Sequence, residues 1–276
     1  QFHTGKAKNM SRMFANCGGV ISLDVSRFKT ENVEDMSSLF DNCQSLSDIN
    51  LKNFNTKNVV DMSYLLRDCK KIERLDIRNF DTQKVTNMAG IFQGCIHLEE
   101  LDFNFNTENA RNMSHLFQGC NSLLQIDVSK FNTEQVTDLS YMFKDCSRLN
   151  ALDVSKFVTK NVLDMSFMFD NCNRVPKLDV SNFDTRKVKN MQSMFSYAVY
   201  LTSLDVTNVD TSEVTSMSSM FESCQSISYL GLRKFNTKNV KDFSHMFSYC
   251  TTLNSIDLSN FDTSSAENMS YMFSRC

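Results

Sequence analysis

Ten cysteines recur at one position of a tandem repeat, and they are the first residues in this chain that could do chemistry. They lie 26 residues apart, with one step of 25 and one step of 52, where Ala198 takes the cysteine position. Stacked coils would bring such thiols within disulfide range, but Ala198 divides them into sets of seven and three, and both sets are odd. One cysteine per coil, without a CxxC pair, is also a poor zinc site. We therefore predict a row of buried free thiols and no metal site.

Threonine forms a second column, at position 8 of every copy when each repeat is numbered from the Leu of Leu-Asp-Val, so that Leu178 is position 1 and Ala198 position 21. Regularly spaced threonines could order water, as in an ice-binding surface. The surrounding pattern, Asp or Asn, then Thr, and Val three residues later, favours a turn instead, with the hydroxyl bonded to local backbone. We predict a structural role for this column.

Aspartate at position 2 is the best candidate for ligand binding. It lies in Leu-Asp-Val, where the alternation of apolar and polar residues predicts a short strand with Asp pointing outward. Stacked carboxylates repel each other, so something must offset them. That offset is either local, from Ser at position 4 and Lys or Arg at position 5, or a cationic ligand or Ca²⁺ bridging neighbouring coils. The predicted ligand-binding residues on this surface are Asp76, Asp102, Asp127, Asp153, Asp179, Asp205, Lys130 and Lys156.

Position 16 carries aromatic residues in six copies: Tyr64, His115, Tyr141, Phe167, His245 and Tyr271. We expect them to be exposed, either as scattered surface residues or as a surface that stacks on glycans or on another solenoid. The two histidines have no acid or nucleophile partner in the repeat. The sequence therefore predicts a protein that is not an enzyme, with no catalytic residues and no cofactor.

The spacing of the apolar residues predicts the elements that hold these columns. Positions 14, 17, 18 and 21, such as Met165, Met168, Phe169 and Cys172, have the spacing of one helix face. Position 13 is Asn, Asp or Ser throughout, which predicts an N-cap. Each 26-residue repeat is thus predicted to form one short parallel strand and one short helix, stacked into a right-handed α/β solenoid.

Length and charge narrow the function further. Residues 1–276 are predicted to form a single repeat domain, with a partial first coil at 1–22 followed by about ten coils. Because both ends fall in mid-repeat, we expect a fragment of a longer protein. A net charge of −3 offers no basic field for nucleic acid, and no apolar run is long enough to insert into a membrane.

The motif F-[DN]-T-x-x-V-x-[DN]-M-S-x-M-F-x-x-C, present over essentially the whole chain, resembles the repeats of BspA-like surface proteins. These are atypical 26-residue leucine-rich repeats. The resemblance implies a non-enzymatic binding or adhesion module, on the cell surface or secreted, whose strands face a host or matrix protein or a glycan. The alternative is a structural spacer that stacks end to end on other copies of itself.

Overall fold

The computed structural model describes residues 3–276 as a solenoid of stacked coils of the leucine-rich-repeat type. The predicted strand is present in six of the ten copies and absent from the copies that begin at Ile126, Leu152, Leu230 and Ile256. The six strands are short and parallel, and they end at the Leu or Ile of this segment or, in two of them, at the Asp. They pair as three two-stranded sheets, β1 with β2, β3 with β4, and β5 with β6. The strands are β1 (Ser22–Leu23), β2 (Asp48–Ile49), β3 (Arg74–Asp76), β4 (Glu100–Asp102), β5 (Lys177–Leu178) and β6 (Ser203–Leu204).

The ladder that runs through every described coil lies elsewhere, at position 13. Parallel bridges join each residue of this column to the next, from Asn9↔Asp35 through to Asp242↔Asn268. The side chains of the column also accept a hydrogen bond from the N–H two residues on, for example Ser37 to Asp35 at 2.9 Å. The predicted capping contact is therefore present, although it opens a turn and not a helix.

The predicted helix at positions 14–21 is wrong, because within residues 3–276 the structure contains no helix. The segment, here named the turn arc (positions 13–21, as in 190–198), is a run of β-turns. Positions 16 and 20 have positive φ, 53° at Ser193 and 54° at Tyr197, as type II turns require. Consecutive turns of four residues also place i, i+3, i+4 and i+7 on one side, so the sequence spacing fits both structures.

Hydrogen bonds of the turn arc alternate between two directions. At positions 17, 19 and 21 the N–H closes a turn within its own coil, as Cys43 does to the Phe40 carbonyl at 3.2 Å. At positions 14, 16, 18 and 20 it donates to the next coil, as Phe40 does to the Leu65 carbonyl at 2.9 Å. Half of the donors therefore join coils together, whereas an α-helix would keep them all inside the segment.

The core is a continuous row of Met, Phe, Val, Leu and Cys side chains. Position-18 phenylalanines stack along the solenoid axis, with ring centroids 5.7 Å apart for Phe117 and Phe143 and 6.0 Å apart for Phe143 and Phe169. Offset stacking of this kind adds to the free energy gained from burial. The predicted core role of the methionines is confirmed, since Met165 and Met168 are fully buried.

The cysteine column consists of free thiols, eight of them buried, with Cys17 half-buried and Cys276 exposed. These thiols are more than small apolar groups. Each Sγ from Cys43 onward donates to the position-18 carbonyl of the previous coil, as Cys146 does to Phe117 at 3.1 Å. Burial raises the pKa of Cys95 to about 12. The column therefore links neighbouring coils through neutral S–H groups.

Ala198 breaks this column and offers a test of it. The Phe169 carbonyl receives the Cys172 N–H but has no thiol facing it from the next coil. Ala198→Cys should supply that donor and raise the free energy of unfolding by about 1 kcal/mol. Urea unfolding of the variant, beside Cys146→Ala as the converse change, measures it. A destabilised Ala198→Cys protein would show that the site cannot accommodate the sulfur.

The threonine column is buried, with hydroxyls that also join coils. Thr133 donates to the Val158 carbonyl at 2.9 Å and accepts the Val158 N–H at 2.7 Å. The structural role is thus confirmed, but the predicted partner was wrong, since the hydroxyl bonds to the next coil and not to local backbone. From Thr4 to Thr237 these threonines are at most 6% exposed, which leaves no threonine surface for ice.

Candidate functional site

The structure places the predicted ligand-binding aspartates along one surface, named the strand face, which is formed by the side chains of positions 2, 4 and 5. Asp76 and Asp102 are directly paired in β3 and β4. Asp127, Asp153 and Asp179 follow at the same position of three successive coils, and Asp205 lies one coil further on. Lys130 and Lys156 are exposed on the same face.

Most of these carboxylates are held by their own corner of the coil. Asp179 accepts the Ser181 hydroxyl at 2.6 Å and the Ser181 N–H at 3.1 Å. The Ser181 hydroxyl, followed by its N–H, lowers the pKa of Asp179, and Thr207 does the same for Asp205. Asp179 and Asp205 therefore stay ionised at neutral pH.

Positions 4 and 5 supply the local offset that the sequence suggested. The Ser129 hydroxyl is the largest cause of the lowered pKa of Asp127, and the Lys130 ammonium adds a smaller effect. Ser155 and Lys156 act in the same way on Asp153. The ion pair at Asp76 was missed by sequence reasoning: Arg78, at position 4, makes two hydrogen bonds to its carboxylate, both at 2.9 Å.

Asp102 differs from the other five. Among these six aspartates, all inside the described residues, it is the one whose carboxylate accepts no hydrogen bond. Its coil has 25 residues, because one residue is missing between Phe103 and Phe105. The missing residue is one of the two at positions 4 and 5. In the other coils that have Asp at position 2, the residue at position 4 donates a hydrogen bond to that carboxylate. The departure in repeat length thus leaves a carboxylate free.

A groove opens at this short coil, with a volume of about 720 Å³. We name it the deletion groove; it is lined by 99–105, 125–127 and 151–153, with Lys130 and Phe131. It brings together four of the eight predicted residues, Asp102, Asp127, Asp153 and Lys130. The other four, Asp76, Asp179, Asp205 and Lys156, lie on the strand face outside it. The one-residue deletion was the sequence signal that marked this place.

The position-16 aromatics are less exposed than predicted. His115, Tyr141 and Phe167 are half-buried and stack face to face, with ring centroids 4.5 Å and 4.6 Å apart. Lys144 lies 5.1 Å from the Phe167 ring centroid and also pairs with the carboxylate of Asp170. Because both faces of Tyr141 are covered by its neighbours, this column offers less aromatic surface to a glycan than the sequence predicted.

Two features of the described residues bear on site chemistry. Within residues 3–276, no group of three or more His, Cys, Asp or Glu side chains is placed to hold a metal ion. These residues also include no helix whose length and apolar character would let it cross a membrane.

Solved structures similar to this chain are described as leucine-rich-repeat proteins, the class that the sequence motif resembles. A leucine-rich cell surface protein from Faecalibacterium prausnitzii is 16% identical over 91% of this chain and 77% of its own, with a TM-score of 0.45. A leucine-rich repeat protein from Bacteroides ovatus is 16% identical over 94% and 74%, with a TM-score of 0.40. An internalin from Listeria monocytogenes is 15% identical over 83% and 68%, with a TM-score of 0.33.

A search of curated protein sequences returned no match to this chain. One family model, in contrast, matches three overlapping stretches, residues 8–125, 97–203 and 198–276, which together span nearly all of the coils. The chain belongs to the family described as Mycoplasma protein of unknown function, DUF285.

Proposed function

We propose that this solenoid is a cell-surface binding module that presents its strand face to a protein or glycan ligand. The observation that supports this most directly is the deletion groove, where exposed carboxylates surround the coil that lacks one residue of the 26-residue repeat. Location at the cell surface or outside the cell is proposed from the resemblance to BspA-like surface proteins.

The arrangement of polar groups favours the strand face over the turn arc. The side chains of the threonine, cysteine and position-13 columns form their hydrogen bonds with neighbouring coils or within their own turns. Carboxylates of the strand face accept bonds through one oxygen in most coils, as Asp153 does through Oδ1. The second oxygen of Asp153 accepts no hydrogen bond within the described chain and can accept a donor from a ligand. We propose Asp76, Asp102, Asp127, Asp153, Asp179 and Asp205, with Lys130 and Lys156, as the contact residues.

The test replaces three of these carboxylates together. Asp127→Ala/Asp153→Ala/Asp179→Ala should weaken binding at least tenfold, because it removes adjacent charges from the centre of the face. Surface plasmon resonance against a panel of purified matrix glycoproteins and mucin measures the loss.

A matched control removes the same charge from positions 9 and 10. Glu108→Ala/Glu134→Ala/Glu213→Ala changes three exposed carboxylates on another corner of the coil and should leave binding within twofold. Equal binding by both triple variants would contradict the assignment of the strand face.

The competing role, a spacer that stacks end to end, makes a different prediction. Filament formation requires rods whose mass grows with protein concentration, and a binding module remains the same size. Light scattering over a hundredfold concentration range separates them, and growing rods together with an inactive panel would favour the spacer.

A further inference from the structure

The strand ladder ends at the deletion groove, as it also does after β2 and after β6. β4 (Glu100–Asp102) pairs with β3 on one side, and the next strand in the described chain is β5 (Lys177–Leu178). The far edge of β4 therefore faces the coil of Ile126 without ladder pairing. Backbone groups at an unpaired strand edge can bond to an extended segment of another chain.

The floor of the groove is apolar. Position 3 is Val, Leu or Ile, and buried, in eight coils, but it is Phe103 in the short coil, where it is half-buried. The Phe103 ring meets Phe105 and Phe131 edge-on, with centroids 5.2 Å and 5.8 Å away. Leu101 and Ile126 beside it are also half-buried. Covering these side chains would remove further apolar surface from water.

The rim of the groove is acidic. Five exposed carboxylates line it, and Lys130 is the one cation among the lining residues. Arg74 offsets part of this charge from outside, 3.5 Å from Glu100, and Arg78 makes its own bonds to Asp76. The remaining carboxylate of Asp102 accepts no hydrogen bond from the described chain. The five carboxylates are Glu99, Glu100, Asp102, Asp127 and Asp153.

We propose that the deletion groove binds an extended basic segment of a protein ligand, with Lys or Arg side chains at the rim and an apolar side chain over Phe103. The inference rests on the proposed function. It specifies the chemistry of the ligand and the part of the strand face that binds the ligand. Charge complementarity selects a cationic segment, and the half-buried aromatic floor distinguishes it from a simple ion. A volume of about 720 Å³ is within the range that small-ligand sites have.

The test uses a fluorescein-labelled peptide, KLKKLK, and a matched peptide, ELEELE. Fluorescence anisotropy should show binding of the lysine peptide only, and raising NaCl from 50 to 500 mM should weaken it at least tenfold, because exposed charges are screened. Glu100→Gln/Asp102→Asn should also weaken binding at least tenfold. Asp24→Asn/Asp257→Asn, in the same column but outside both the groove and the proposed contact residues, should change it less than twofold.

A second variant tests the groove independently of charge. A serine inserted between Asn104 and Phe105 restores the 26-residue coil and should close the groove, weakening peptide binding at least tenfold without lowering the unfolding temperature. If that variant fails to fold, the Glu100→Gln/Asp102→Asn protein carries the test. Equal affinity for both peptides, or undiminished binding in the charge variant, would overturn the proposal.

The two proposals fail in different ways. Binding of a matrix glycoprotein that depends on Asp127, Asp153 and Asp179, without binding of KLKKLK, contradicts the groove inference alone. If the peptide binds in the groove but no glycoprotein or mucin of the panel binds, the ligand is not a member of the panel and the groove inference is supported. Mucin binding lost in the serine-insertion variant, with no peptide binding, would identify a glycan and overturn the basic-segment proposal.

Discussion

Raising the pH above about 9 is expected to unfold the solenoid over a narrow range of pH. Burial raises the pKa of the buried cysteines, to about 12 for Cys95 and Cys250, and well above the ordinary value for Cys120, Cys146, Cys172 and Cys224. An unfolded chain loses these protons near pH 8.5. The stability they contribute is therefore complete below that pH and is lost as the pH rises toward the folded-state pKa.

Each such thiol lowers the free energy of unfolding by about 1.4 kcal/mol per pH unit inside that window. Circular dichroism from pH 7 to 11, with reductant present, should show the cooperative loss. Cys120→Ala/Cys146→Ala/Cys172→Ala is less stable at pH 7, but its free energy of unfolding should fall less steeply as the pH rises. The difference between the two slopes should be about 4 kcal/mol per pH unit. Equal slopes for the two proteins would mean that the thiols do not control alkaline unfolding.

Replacing Thr133 by Val should cost about 2–4 kcal/mol of unfolding free energy. Valine has nearly the shape of threonine, so the change removes the hydroxyl with little effect on packing. It leaves both the N–H and the carbonyl of Val158 without the partner that joins the two coils. Urea unfolding measures the loss, which falls on the interface between neighbouring coils, where solenoid stability resides.

Thr263→Val is the matched control. Thr263 occupies the same repeat position but is exposed, and its hydroxyl makes no inter-coil bond in the described chain. Its replacement should alter stability by less than about 0.5 kcal/mol. If Thr133→Val lowers the free energy of unfolding by less than about 1 kcal/mol, water or a backbone adjustment must supply hydrogen-bond partners to the N–H and carbonyl of Val158.

Repeat spacing predicted the coil, the position of the strands and the buried columns, because each depends only on which residues recur. It did not predict that four of the ten copies lack a strand. It did not predict the backbone of positions 13–21, since Met165, Met168, Phe169 and Cys172 face inward both in a helix and in successive turns. Positive φ at Phe167 and Asn171 distinguishes the two, and neither residue type requires it.

Sequence reasoning also identified the residues of the candidate surface, but it did not predict the groove that some of them line. Asp102, Asp127 and Asp153 were selected as equal members of one column. That they line a groove follows from a single missing residue, whose effect depends on how the corner after β4 closes. The bonds from Arg78 to Asp76, and from the thiols to the position-18 carbonyls of the previous coil, depend on side-chain geometry that repeat spacing does not encode.

Most inter-coil N–H bonds of the turn arc run toward the C-terminal end, which gives the rod an electrical polarity. The exception is position 13, whose N–H donates to the previous coil in several copies, as Asp35 does to the Lys8 carbonyl. In every described coil that has a successor, four N–H groups point toward the C-terminal end, as Phe40 does toward the Leu65 carbonyl. Their peptide dipoles add, leaving partial positive charge at the C-terminal end of the arc and partial negative charge at the other, the reverse of an α-helix. Two such rods can satisfy each other's terminal groups only head to tail, and a carboxylate beside the last coil would be stabilised there.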